Sequence, residues 1–391
     1  MIKIMHRNLH LGYSYTALAF FGITSLWVIF LQQRGLSLVQ IGLCESLFHL
    51  TSLLSEVPSG ILADRFGYKP VLIAGRVAAI CHALIMLTAH SFWWFALGFV
   101  LQAWAYNLQS GTIEALLYDS LADHQAADKF AIVTKNMNLT IELADTIGVL
   151  LAGWFIHGYL ALTYWLCAAA AVLAMIVILA LHEPQHAKST VAATNSIWQI
   201  TRAAAHWLRQ LPQLRRLMLF HTAFSAIGTT YYYYFQSVMT SHGFSGPLIS
   251  GILVMNAILN VGGVQLTPWL QKQVSQLKLL IALTLLLAIS LTSAFWVNIG
   301  WLVASYLAVN VLQAIIEPLL SNYYNQLIPS GQRATLLSVA SMLFSVVMIL
   351  MFPIIGWLIE RSSFTTVFGI LGCGLGLLLL IGFVFKKHYQ H

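Results

Sequence analysis

Glu142 and Asp145 stand three residues apart in the stretch TIELADTIGVLLAG. On a helix that spacing puts both carboxylates on one face. Two carboxylates close together in a low-dielectric setting resist being ionised at once, so the pair is a place to hold a proton. Glu45 and His49, four residues apart, form a second pair, in which an imidazole beside a carboxylate serves as a proton relay or as a polar contact between helices. Glu114 and Glu317, the latter just before Pro318, are single carboxylates suited to pair with Arg76 or Arg333 in a gate. His82 and His221 stand alone in apolar stretches and are expected to be structural. Cys44, Cys81, Cys167 and Cys373 all fall in apolar segments without metal-ligand spacing, and no nucleotide loop, HExxH or GxSxG is present. No cofactor, no metal and no enzymatic reaction are expected. A polytopic membrane enzyme or lipid-processing protein is the competing class.

These charges are conspicuous because the chain carries so few. Of 391 residues 59% are hydrophobic and 8% charged, against about 25% charged in soluble domains, and the mean hydropathy is +0.80. A helix needs about 20 apolar residues to cross about 30 Å of hydrocarbon. Twelve such segments can be read: 9–32, 38–61, 70–90, 92–118, 134–157, 160–182, 214–240, 247–270, 276–295, 298–325, 334–359 and 363–385. The long polar connection after the sixth divides the chain into a six-helix half (1–182), a linker (183–213) and a second six-helix half (214–391). Within the linker, SIWQITRAAAHWLRQL (196–211) has the pattern of an amphipathic helix lying on a membrane face.

Alternating the loops from an inside N-terminus puts seventeen of the nineteen Lys and Arg, Arg76 included, on one side and leaves Arg34 and Arg361 for the other. This is the positive-inside pattern. It predicts an inner-membrane protein with both termini cytoplasmic, and it assigns the net charge of +7 to the membrane surface instead of to nucleic acid. Related six-helix halves place a substrate cavity near the bilayer midplane. Its candidate lining is Tyr231, Tyr234 and Gln236 from the run TTYYYYFQ, Asn256 and Asn260 one turn apart, Asn310, Gln313 and Glu317, with Trp104 and Tyr106 from the first half. Four consecutive tyrosines point all round a helix, so only one or two of them can face substrate. No embedded Arg or Lys is expected to grip an anion, and the expected substrate is amphipathic and neutral or cationic, with Glu or Asp as counter-charge.

The stretch GILADRFGYK (60–69) resembles the first cytoplasmic-loop motif of the major facilitator superfamily, Gly-x-Leu-Ala-Asp-Arg-x-Gly-basic-basic. Gly60, Leu62, Ala63, Asp64, Arg65, Gly67 and Lys69 match, and Tyr68 replaces the first basic position. The resemblance implies an all-α polytopic membrane protein with twelve transmembrane helices in two six-helix halves. It also implies a latch: Asp64 accepting hydrogen bonds from the start of the eleventh helix near Arg333, Arg65 bridging to Asp119 or Asp123, Gly60 allowing close helix approach and Gly67 a tight turn. Glu56 and Glu114 join this gate. The segments EVPSG (56–60), EALLYD (114–119) and RATLLS (333–338) are similar to those of bacterial permeases described as drug exporters, although the fourth helix lacks the embedded Arg and the fifth the Gly-Pro of proton-coupled drug antiporters. The implied activity is secondary active transport by alternating access: a monomer in the lipid bilayer exporting small amphipathic molecules against protons. A symporter or uniporter of a neutral solute is the alternative.

Overall fold

The computed structural model describes residues 2–156, 158–184, 209–327 and 333–388, and every regular element among them is a helix. The first part of the chain forms α1 (Ile2–Ala19), α2 (Trp27–Gln33), α3 (Leu38–Phe66), α4 (Tyr68–Thr88), α5 (Phe92–Gln109), α6 (Thr112–Ala122), α7 (Phe130–Trp154) and α8 (Ala161–Ala180). The second forms α9 (Pro212–Ser241), α10 (Gly246–Gln273), α11 (Gln276–Thr292), α12 (Ile299–Leu327), α13 (Arg333–Arg361) and α14 (Phe364–His388). Among the described residues, seven helices are long and apolar enough to cross a membrane: α3, α4, α8 and α10 to α13. The linker stretch 196–208, expected to be amphipathic helix, lies outside the described residues.

Two expected spans are each split, so the helices exceed the twelve anticipated. The first span breaks between α1 and α2 over residues 20–26, where Phe21-Gly22-Ile23-Thr24-Ser25 joins a glycine to β-branched residues and a serine, all weak helix formers. Tight local bonds hold the break: Ile23 N–H donates to Phe21 O at 2.7 Å and Ser25 Oγ to Gly22 O at 2.8 Å. The fourth span breaks at Ser110 and Gly111, with Gly111 at φ +77°, a conformation that glycine adopts without the Cβ penalty. The break between α1 and α2 also lets α7 come close. A Cβ added to Gly148 would sit 2.5 Å from the backbone nitrogens of Gly22 and Ile23.

The chain divides into two compact units, Met1–Leu36 with Leu43–Gln199 and Ser245–Ser250, and Ser37–Gly42 with Ile200–Phe244 and Gly251–His391. The core of the first unit gathers Tyr15 of α1, Leu72 of α4, Leu116 and Leu117 of α6, and Ala174 and Ile178 of α8. The core of the second is aromatic. Tyr231, Phe235, Tyr306, Phe364 and Phe368 stack within 4.6–6.0 Å, and the Tyr231 hydroxyl donates to Ser305 Oγ at 3.0 Å. Also within the second unit, the Glu360 carboxylate accepts from the backbone N–H of Leu38 and, at 3.3 Å, of Val39. It satisfies donors that an α-helix leaves open at its first turn.

Candidate functional site

In the second unit, α9, α10, α12 and α13 enclose a cavity of about 400 Å3 whose polar wall is His221, Ser225, Asn260, Asn310, Gln313 and Glu317. His221 Nε2 lies 3.0 Å from Glu317 Oε1, and its Nδ1 lies 2.9 Å from the Tyr324 hydroxyl. Ser225 Oγ donates to the same Glu317 oxygen at 3.2 Å. The imidazole thus links the carboxylate to the phenol, one ring nitrogen facing each. Gln313 Nε2 donates to Ser225 O at 2.9 Å, Asn310 Nδ2 donates to Tyr306 O at 2.7 Å, and Asn260 Oδ1 is buried without a partner among the described residues. Pro318 cannot donate to the carbonyl of Ala314, which also lines the cavity. A titratable pair with open acceptors beside it can exchange a proton and bind a polar group. His221, expected to be structural, is therefore part of this wall.

Other residues expected to line a cavity pack elsewhere. Tyr231 and Tyr234 are fully buried: Tyr231 holds the aromatic core, and the Tyr234 hydroxyl donates to Phe352 O at 2.7 Å. The reason is the one anticipated for a run of four rings, since most of a helix circumference faces neighbours. Gln236 is 1% exposed and Asn256 7%, and both lie away from the cavity wall. Trp104 packs against Ala63, Val71 and Leu108. Of the residues expected to line a cavity, Asn260, Asn310, Gln313 and Glu317 share this wall, while Tyr106 borders a separate cavity of the first unit.

That cavity, of about 180 Å3, lies where both helix breaks occur. It is bordered by Phe21 and Thr24 from the first break, Tyr106 and Gln109 at the end of α5, and Arg76 of α4. Arg76 corrects an expectation. It is not a loop cation but sits more than two turns inside α4, 4% exposed, and its Nη2 donates to Gln109 Oε1. The Tyr15 hydroxyl donates to the same oxygen at 3.3 Å. Glu114, in the first turn of α6, does not pair with it; among the described residues Glu114 Oε2 is buried without a partner. Glu45 and His49 lie 3.6 Å apart on α3. Glu142 and Asp145 are both exposed on α7 and make no hydrogen bond or ion pair among the described residues, although Asp145 lies against Gly22. His82 is buried, with Nδ1 2.8 Å from Gly98 O.

The motif residues extend the helix drawn as 38–61, and Asp64 lies at its end as expected. Asp64 and Arg65 lie in the last turn of α3, and Gly67, at φ +88°, is the single residue joining α3 to α4. Among the described residues of its own unit, no atom lies within 4 Å of a Cβ added at Gly60. Arg65 forms no ion pair among the described residues and lies over the Phe66 ring, 5.4 Å from its centroid. Asp119 instead accepts from the Tyr68 hydroxyl at 2.7 Å. Glu56 is exposed. Arg333 opens α13, and its side chain lies outside the described residues.

Glu183, which carried no role in the sequence reading, organises this end. Its two carboxylate oxygens accept from the backbone N–H groups of Tyr68 (2.6 Å) and Lys69 (3.0 Å). Lys69 Nζ in return donates to Leu181 O (2.6 Å) and Leu179 O (3.2 Å) at the end of α8. An anion at a helix start and a cation at a helix end each favour the peptide dipoles. The clue lay in HEP (182–184), an acid directly after an apolar run. Glu183→Ala should cost about 1–2 kcal/mol, the usual value of a lost helix cap. It should lower the thermal midpoint of the purified protein by a few degrees, and an unchanged midpoint would mean that Glu183 does not cap α4.

The family model of the Major Facilitator Superfamily matches residues 9–350. The chain belongs to the major facilitator superfamily. The curated relatives are distant. The inner membrane transport protein YajR of Escherichia coli is 26% identical over 115 residues, 29% of this chain and 25% of YajR. The quinolone resistance protein NorA of Staphylococcus aureus is 22% identical over 234 residues, 59% of each chain. The matches thus span a quarter to under two thirds of the relatives' length. Among solved structures, the nucleoside transporter NupG superposes with a TM-score of 0.74 at 15% identity, covering 99% of both chains. A D-xylose–proton symporter gives 0.64 at 16% identity, covering 97% of this chain and 96% of that one. At such identities these likenesses bear on the fold alone.

Proposed function

We propose that this member of the superfamily is a secondary active transporter that exports small amphipathic molecules in exchange for protons, by alternating access. The observation that carries the reading is the His221–Glu317 pair in the wall of the second unit's cavity. An ionisable pair inside a membrane-spanning bundle is expensive to keep, and here it borders open space beside polar groups suited to a ligand. The similarity to NorA, whose name records quinolone resistance, supports export over uptake. The distribution of Lys and Arg, with Arg76 now removed from the loop count, supports an inner-membrane location with both termini cytoplasmic. Glu45–His49 and Glu142–Asp145 are the further proton-site candidates. Asp64 and Arg65 remain the candidate gate residues of the motif.

The test uses purified protein in sealed proteoliposomes with an imposed pH gradient and an amphipathic fluorescent dye. The dye should move against the proton flow, and a protonophore should reduce its movement to the rate of protein-free vesicles. Movement that ignores the protonophore would rule out proton coupling.

A further inference from the structure

The first unit holds a buried cation without a counter-charge. Arg76 is 4% exposed, and among the described residues no carboxylate lies within ion-pair distance of it. Its Nη2 donates to the neutral Gln109, its Cζ lies 5.5 Å from the centroid of the Tyr15 ring, and its Nε is buried with no acceptor among the described residues. Glu114, the acid expected to neutralise it, keeps a buried unpartnered oxygen of its own. Removing a guanidinium from water is tolerated when a partner or hydrogen bonds compensate, and here the protein supplies them only in part.

The space next to Arg76 is built for a partner from outside. The cavity of about 180 Å3 is bordered by Phe21, Thr24, Tyr106 and Gln109. His82, which also borders it, is engaged by the Gly98 carbonyl; Tyr106 and Cys167 are its other titratable neighbours, and among the described residues no Asp or Glu borders it. Both broken helices end on it, and interrupted helices in a bilayer occur where backbone lines a cavity or a site.

We propose that Arg76 is the anion-binding group of this cavity, and that the transported molecule is an amphipathic acid whose carboxylate accepts from the Arg76 guanidinium. The planar guanidinium suits a carboxylate, because adjacent N–H groups can meet both of its oxygens. Phe21 and Tyr106 flank the apolar part next to the acid group. Ligand pockets for drug-sized molecules run to about 300–1,000 Å3, so this cavity takes the acid end and not the whole molecule. The inference rests on the reading of the chain as an exporter of amphipathic compounds, and it replaces the expectation of a neutral or cationic substrate.

A matched pair of probes tests it: dansyl-leucine and dansyl-leucinamide, which differ only in carboxylate against amide. Binding to purified protein in detergent, read by dansyl fluorescence, should be at least tenfold tighter for the acid. Arg76→Gln should remove that preference, weakening the acid at least tenfold and the amide less than twofold, while Arg76→Lys should keep part of it. Equal affinity of wild-type protein for the two probes overturns the proposal even if the variants do not fold. Equal weakening of both probes by Arg76→Gln, or no binding of either at millimolar concentration, overturns it as well. Efflux of the same probes from proteoliposomes reads the underlying function separately. A bound acid that is never transported refutes the exporter and leaves the anion site standing.

Discussion

Glu317→Gln is expected to abolish pH-driven transport, lowering it at least tenfold, while the protein folds and reaches the membrane as before. The substitution keeps the shape of the side chain, and its amide oxygen can still accept from Ser225 and His221, which now donate to Glu317 at 3.2 and 3.0 Å. What it removes is the capacity to take up and release a proton. Because the side chain borders the cavity and is not sealed in the core, the loss of charge leaves no buried cation stranded except a protonated His221. His221→Asn tests that end of the relay, and its effect should not add to that of Glu317→Gln, since the two groups act as one unit. Counterflow of labelled substrate without a pH gradient should persist in both variants. If Glu317→Gln transports at the wild-type rate under a gradient while Asp145→Asn does not, the proton site belongs to α7 and not to this cavity.

The second large effect is structural. Gly148→Val should prevent accumulation of folded protein, a destabilisation of about 3 kcal/mol, at the upper end of the usual overpacking costs. The atoms a Cβ would meet are backbone nitrogens of Gly22 and Ile23 at 2.5 Å, and no rotamer change can move a main chain aside. The break between α1 and α2 would have to shift, and with it Phe21 and Thr24 at the border of the Arg76 cavity. Gly251→Ala is the matching control, because nothing lies within 4 Å of a Cβ at that position. Fluorescence-detected size-exclusion profiles should show a monodisperse peak for the control and little or none for Gly148→Val. Wild-type yield from Gly148→Val would mean that α7 and the break do not touch as described.

Long apolar stretches made the helices readable, because in a bilayer hydropathy and helix length are tied to one thickness. The same signal hid the breaks. Residues 20–26 and Ser110-Gly111 are apolar or small enough to pass for continuous span, and what interrupts them is weak propensity and a positive φ. The motif and the place of Asp64 at a helix end could be read from residue types, but the full length of that helix could not, since α3 runs on through Phe66 despite Pro58 and Gly60. Arg76 was visible only as a cation. Its predicted helix already enclosed it, yet counting charges by side put it in a loop. The bond from Glu183 to the start of α4 joins residues more than a hundred positions apart, and no local spacing encodes that. The tyrosine run of α9 shows the opposite limit: its chemistry was plain, but which rings became core depended on partners in α12, α13 and α14.

One exchange at the motif changes how that end of the first unit responds to its surroundings. Where the family pattern has a cation, this chain has Tyr68, whose phenol donates to Asp119 at 2.7 Å. Attraction between a surface cation and a carboxylate acts over several ångströms and is screened within about 8 Å at physiological ionic strength. A phenol–carboxylate hydrogen bond has almost no reach beyond contact and little to lose to screening. The hold between the start of α4 and Asp119 is thus short-ranged and largely indifferent to the salt of the medium, so its making and breaking follow the movement of the helices and not the ions around them.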